Sequence, residues 1–337
     1  MSESKHTNTE ISNLASPNAT LDQPSPLPTT AVLLYGSSGT GDFYQSLRGE
    51  QAGQLRLIGN NPGWRTTWEQ IVPGNYGGAT QCTDLLFYDP DAREGIFYAV
   101  GDNGALVALG KPNEWRSTWY EIIPGRFGGS TGLTDLLFYD RTVGEAEFYA
   151  SEGDGRMKPI GGLKGWRTTW THIVPGNFKQ GTELTDLFFY DSNSGDALFL
   201  ASNGKGGTIP IGTGIPRWSH DFGTFVVPGN FGSGSGYTDL FCYNAGAGVG
   251  EFVATDGEGH LSSFGFRNDL PTTWSRIAPG NFGGPHGLTD LLVYDATQQQ
   301  IKFFSTNGQG GLSDLGSPTS QKPFLARIIP GVFIANL

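Results

Sequence analysis

Residues 63–89 read GWRTTWEQIVPGNYGGATQCTDLLFYD, and the phrase returns at 165–191 as GWRTTWTHIVPGNFKQGTELTDLFFYD. A third copy, WRSTWYEIIPGRFGGSTGLTDLLFYD, occupies 115–140. The Pro-Gly pair marks each unit and recurs at Pro73, Pro124, Pro175, Pro228, Pro279 and Pro330, at intervals of 51, 51, 53, 51 and 51 residues. Asp84, Asp135, Asp186, Asp239 and Asp290 keep the same rhythm. A period held over nearly the whole chain defines a repeat architecture, which overrides any domain count based on length.

Each unit contains four apolar runs, in the second complete unit Trp119 to Ile123, Leu136 to Tyr139, Glu147 to Ala150 and Met157 to Ile160. The third and fourth runs are separated by Asn103-Gly104, Asp154-Gly155, Asn203-Gly204, Asp256-Gly257 and Asn307-Gly308. These dipeptides accept the positive φ that two-residue hairpin turns require. The runs LLFY, LFFY and LLVY do not alternate, so those strands are expected to be buried on both faces. A four-stranded unit with two apolar faces must pack between copies of itself, as a propeller blade does.

The ends of the chain set the number of blades. The first run, Ala31 to Tyr35, corresponds to a second strand, and the last, Ala326 to Ile329, to a lone first strand. Three strands, five complete units and one final strand make twenty-four, or six blades of four. The expected fold is therefore an all-β, six-bladed β-propeller over 31–337, closed by N-terminal strands pairing with the C-terminal strand, which leaves no edge unpaired. Residues 1–30, rich in Ser, Thr, Asn and Pro, read as a disordered leader.

Composition narrows the partners. Gly is 52 of 337 residues and aromatics are 12%, which suits short strands and tight turns. A net charge of −11 with no Lys/Arg run argues against nucleic acid and anionic membranes. No apolar stretch is long enough to cross a membrane, and the leader lacks the apolar core of a secretion signal. A cytoplasmic location, or release without a classical signal, is the expectation. Cys82 and Cys242 occupy different places in their repeats and are read as free thiols.

The loop after each Pro-Gly, as in PGNFGGPHGLTDLLVYD from Pro279, resembles FG-GAP or VCBS propeller repeats over roughly residues 31–337. Integrin α heads and fungal sugar-binding propellers belong to that superfamily, and the resemblance implies a Ca²⁺ loop with several carboxylates. Here the first carboxylate position is Asn75, Arg126, Asn177, Asn230 and Asn281, Lys179 stands near another, and each loop offers one carboxylate. Calcium wants six to eight oxygens, so no metal or other cofactor is expected. The recurrent Asp is expected to accept backbone N–H groups in the turn.

His6, His172, His220, His260 and His286 share no metal-ligand spacing, and the repeated carboxylates do not form the unique pair that catalysis needs. No enzyme is expected on these grounds. The phrase Trp-Arg-x-x-Trp suggests binding instead. The second aromatic, at Trp68, Trp119, Trp170 and Trp274 with Phe222 and Phe324 nearby in the others, reads as packing between blades. The first Trp and the Arg, present in only three successive units, are candidate carbohydrate contacts: Trp64, Arg65, Trp115, Arg116, Trp166 and Arg167. An indole stacks on a sugar face and an Arg forks to hydroxyls. The competing reading is that the Trp packs on the loop while the Arg stacks by cation–π attraction. The expected function is a multivalent carbohydrate-binding protein whose partners are glycans or glycoproteins, with avidity from repetition. A protein-interaction scaffold is the alternative. A hydrolase or lyase at the central channel stands behind both, because it needs unmatched polar residues there.

Overall fold

The computed structural model describes residues 29–218, 225–284, 287–318 and 325–333. The expected leader up to residue 28, the aromatics Phe222 and Phe324, and His6, His220 and His286 lie outside the described residues. Six antiparallel sheets are arranged as a six-bladed β-propeller. The blade that closes the ring joins Leu325–Gly331 to Ala31–Gly36, Gly41–Ser46 and Leu55–Asn61. Leu33 stands opposite Ile329 there, so the two ends of the chain meet as the repeat phase requires.

The other blades begin with the inner strands Gln70–Gly74, Trp119–Gly125, His172–Gly176, Phe225–Gly229 and Trp274–Gly280. Each inner strand touches the inner strand of the blade on either side, so together they line the axis. The second strands are the apolar runs. All six residues of Asp84–Asp89, Asp135–Asp140, Asp186–Asp191 and Asp290–Asp295 are buried. The core consists of layers between blades. Val72, Leu86 and Tyr88 of one blade, for instance, pack on Trp119, Ile122 and Leu136 of the next. There are twenty-five β-segments among the described residues, one more than expected. The outer strand of the Gln70 blade is split into Leu106–Ala108 and Asn113–Glu114, on either side of Pro112, which cannot donate to the ladder.

Hairpin chemistry follows the dipeptides, with Gly104, Gly155, Gly204, Gly257 and Gly308 all at φ between 71° and 81°. A second glycine series explains how closely the rims approach. A Cβ on Gly161 of one outer strand would lie 2.6 Å from the Gly206 carbonyl oxygen of the next blade's hairpin.

Two adjacent residues hold the Pro-Gly loops. The carboxylate of Asp84 accepts the N–H groups of Tyr76 and Gly78 at 2.8 and 2.9 Å. Asp135, Asp186, Asp239 and Asp290 accept the N–H of Phe127, Phe178, Phe231 and Phe282 in the same way, at 2.7 to 2.9 Å. This is the turn-holding role expected of the recurrent Asp. The Thr before each Asp reaches into the preceding blade. Thr134 donates its N–H to the Asn75 carbonyl while its hydroxyl oxygen accepts the Asn75 N–H, both at 2.8 Å. Thr185 pairs with Arg126, Thr238 with Asn177, Thr289 with Asn230, Thr30 with Asn281 and Thr83 with Val332. The clasp thus goes all the way round, across the closing blade.

Replacing Thr30 by Val keeps the shape but leaves the Asn281 N–H without its acceptor at the closing seam. The expected loss is about 1 kcal/mol, seen as a lower urea midpoint at unchanged slope. An unaltered midpoint would show that the clasp contributes nothing.

Candidate functional site

The Trp-Arg phrase lies on the connectors that carry the chain from an outer strand to the next inner strand. Trp64 lies so close over Gly41 that a Cβ there would meet the ring at 2.3 Å, and it meets Phe87 edge-on at 5.1 Å. Trp115 covers Gly95 and meets Phe138 at 4.8 Å, and Trp166 meets Phe189 at 4.9 Å. Where the phrase is lost, Trp218 packs on Phe188 at 5.7 Å and Leu270 covers Gly250. The position is therefore filled in all these blades by an apolar group set between neighbouring sheets. Sequence comparison of the units alone concealed this, because the substitutes differ in type and frame.

The arginines stack on the second Trp rather than the first. The guanidinium carbons of Arg65, Arg116 and Arg167 lie 5.0, 4.8 and 5.1 Å from the ring centres of Trp68, Trp119 and Trp170. Their N–H groups are engaged by carboxylates: Arg65 with Glu94 at 2.6 Å, Arg116 with Glu145 and Glu147 at 2.7 and 2.5 Å, and Arg167 with Asp196 at 2.8 Å. A cleft of about 530 Å³ opens beside Trp115, Arg116, Glu147 and Tyr149, and one of about 270 Å³ beside Trp64, Arg65 and Tyr98. Behind these groups lies Asp89. Burial pushes its carboxyl up, but the Thr67 hydroxyl, the Ala92 N–H and Arg65 together hold it below the ordinary value.

The asymmetry is at the axis. With the units aligned on Pro-Gly, the third residue before each Pro is Gln70, Glu121, His172, Phe225, Arg276 and Arg327 in turn. The two residues that follow are aliphatic in every blade. All six stand at one level, each paired with the tyrosine of its own second strand: Tyr88, Tyr139, Tyr190, Tyr243, Tyr294 and Tyr35. The inner strand of each blade has one edge without a partner strand, and several of these side chains satisfy the next blade's edge. Gln70 donates to the Tyr120 carbonyl at 3.3 Å and accepts the Ile122 N–H at 2.8 Å. Arg276 donates Nε–H to the Ala326 carbonyl at 2.9 Å, and Arg327 donates to the Glu69 carbonyl at 3.1 and 2.5 Å.

Glu121 differs from the rest. Its Oε2 is buried with no hydrogen-bond partner among the described residues. Burial raises its carboxyl to about 8, against the opposing effect of the Ile173 N–H. At neutral pH it is therefore mainly a neutral acid, a state typical of proton-transfer residues. On the adjacent inner strand, His172 Nδ1 lies 3.0 Å from the Thr171 hydroxyl, and its ring lies 5.8 Å from that of Tyr190. Two proton-carrying groups are thus neighbours at one level of the channel, and Arg276 and Arg327 occupy two adjacent strands of the other half of the ring. Sequence reading missed Glu121, Gln70, Arg276 and Arg327 because it followed what the repeats share. The usable signal was the opposite one, a single variable column within a conserved strand.

No family model and no curated protein match the sequence. Solved structures do. A protein from Bacteroides fragilis described as a candidate 6-phosphogluconolactonase matches with a TM-score of 0.54 at 11% identity, covering 92% of this chain and 99% of that one. A similarly described protein from Bacteroides uniformis gives 0.52 at 11% identity, with 90% and 100% covered. A periplasmic gluconolactonase from Pseudomonas aeruginosa gives 0.51 at 12% identity, with 89% and 98% covered. At this identity the likeness establishes the propeller fold. These relatives by shape carry the names of hydrolases, which overturns the expectation of a non-enzymatic, multivalent carbohydrate-binding protein and leaves the scaffold alternative without support. Trp64, Trp115 and Trp166 are packed between sheets and Arg65, Arg116 and Arg167 are ion-paired, with the two clefts beside the first two pairs.

Two outcomes are expected. Trp115→Ala should lower stability by about 3 kcal/mol through the space opened over Gly95, measured by urea unfolding; an unchanged midpoint would return this Trp to ligand binding. Glu121 holds a proton in the folded chain that the unfolded chain releases above its ordinary value of 4.5. Its contribution is therefore full below that value and lost as pH rises through about 8. Wild-type protein should lose melting temperature across this window, and Glu121→Gln should lose less.

Proposed function

We propose that the chain is a hydrolase working at the central channel on a small lactone or ester, the class of reaction for which its neighbours in fold are named. The supporting observation is the break in symmetry at one level of the axis. Around it the blades repeat in strand, loop and clasp, while at this level Gln70, Glu121, His172, Phe225, Arg276 and Arg327 are nearly all different. A fold has no need of four different kinds of polar residue at equivalent places, whereas acid–base chemistry needs unlike groups side by side.

In this reading His172 takes a proton from the attacking water as the new C–O bond forms at the carbonyl carbon. The tetrahedral intermediate then collapses, the ring or ester C–O bond breaks, and the neutral Glu121 carboxyl protonates the departing alkoxide. Water returns the lost proton to Glu121 and takes the one held by His172, which restores the starting state. Phe225, stacked on Tyr243 with ring centres 6.3 Å apart, supplies an apolar wall. The likeness of the Pro-Gly loops to FG-GAP or VCBS repeats enters this proposal only as a relationship between loops, since the loop carboxylate here anchors N–H groups.

The test is turnover of a panel of aliphatic lactones and aryl esters by the full chain and by Glu121→Gln and His172→Gln. Loss of each proton-transfer group should lower kcat by about a hundredfold or more, with the fold checked by circular dichroism. The reading fails if no member of the panel is opened, or if both variants turn over like the wild type.

A further inference from the structure

On Trp274–Gly280 and Leu325–Gly331, neighbouring inner strands, two arginines stand at the same level of the channel. No carboxylate pairs with Arg276 among the described residues. It spends Nε on the Ala326 carbonyl at 2.9 Å and Nη1 on the Ser275 carbonyl at 2.5 Å, which leaves Nη2 without an acceptor among the described residues. Arg327 is tied to the Glu69 and Ala326 carbonyls, and the carboxylate it pairs with among the described residues is the exposed Glu69 side chain at 3.6 Å. Burial, and then the like charge of Arg327, pull the Arg276 guanidinium below its ordinary value. Two cations are thus held together with too little negative charge around them, in a chain whose net charge is −11.

Edge capping does not require this charge. Gln70 serves the same purpose for its neighbour through a neutral amide, and Phe225 occupies the equivalent place with no polar group at all. The carbonyl contacts instead fix the guanidinium planes, so a bound anion would meet donors already oriented.

We propose that Arg276 and Arg327 form an anion subsite on the channel wall, which takes the carboxylate or phosphate group of a small substrate. This deepens the hydrolase reading, on which it rests for the word substrate, by assigning the substrate a negative charge held away from the Glu121 and His172 side. The shared chemistry is a compact oxyanion that accepts paired N–H groups. Which oxyanion it is depends on size and charge, and the experiment separates them.

Isothermal titration of the full chain with inorganic phosphate, and separately with acetate, tests the subsite with no turnover involved. One anion or both should bind at one site per chain and weaken as salt is raised. Tighter binding of phosphate assigns a phosphoryl group, and acetate binding as tight or tighter assigns a carboxylate. Arg276→Gln should weaken binding by about tenfold or more, and Arg276→Lys by less, since it keeps the charge but loses the fork. If Arg276→Gln does not fold, Arg327→Gln and Arg327→Lys give the same comparison. Binding of neither anion, or binding unchanged by these substitutions, overturns the proposal. A chain that binds phosphate but opens no lactone defeats only the hydrolase reading. One that opens lactones but binds neither anion defeats only the subsite.

Discussion

Each blade is held to the one before it by a threonine that both gives and takes a hydrogen bond with a single backbone unit. Thr134 and Asn75 are the pattern, and Thr30 with Asn281 repeats it where the chain closes on itself. After five of the six threonines the next residue, from Asp84 to Asp290, ties down the loop of its own blade, while Thr30 is followed by Ala31. One dipeptide thus positions a loop and its neighbour together. The greasy layers between sheets set the distance between blades but have little direction, as apolar contact is non-directional. The clasp supplies the direction, because hydrogen bonds weaken steeply when misaligned.

A scaffold positioned this way frees one column of residues. The inner strands have an open edge on the axis, and the side chain three residues before each Pro-Gly lies beside it. The demand there is mild, to offer the neighbouring backbone a partner or to cover it. Gln70 does so with an amide, Arg276 and Arg327 with guanidinium groups, and Phe225 with none. Because structure asks so little of this column, unlike groups can gather in it without disturbing the blades. Glu121 offers the Ile173 N–H one carboxyl oxygen in the same way and keeps the other buried. A carboxyl oxygen buried without a partner is a cost to the fold, and it keeps the acid neutral where a carboxyl on the surface would ionise.

The Trp-Arg phrase shows the reverse case. It is loud in sequence, and in the structure its indoles fill gaps between sheets while its arginines pair with Glu94, Glu145, Glu147 and Asp196 and lie against Trp68, Trp119 and Trp170. Its restriction to three units is what made the pair candidate carbohydrate contacts. In three dimensions the later units reach the same packing with Trp218 and Leu270, which a comparison of aligned letters does not reveal.

The sequence by itself determined the fold, because Pro-Gly spacing, hairpin dipeptides and unbroken apolar strands are local signals, and a repeat multiplies each of them. Blade number and the closing joint between Ala31–Gly36 and Leu325–Gly331 followed from the phase at which the repeat begins and ends. The turn-holding role of the Asp was also legible, as it depends on residues within one loop. Only the tertiary structure decided which positions face the axis, that Trp64 and Arg65 have partners already, and that Glu121 and His172 are neighbours at one level. Those relations join residues about fifty apart through the curvature of a closed ring, and no window along the chain contains that curvature.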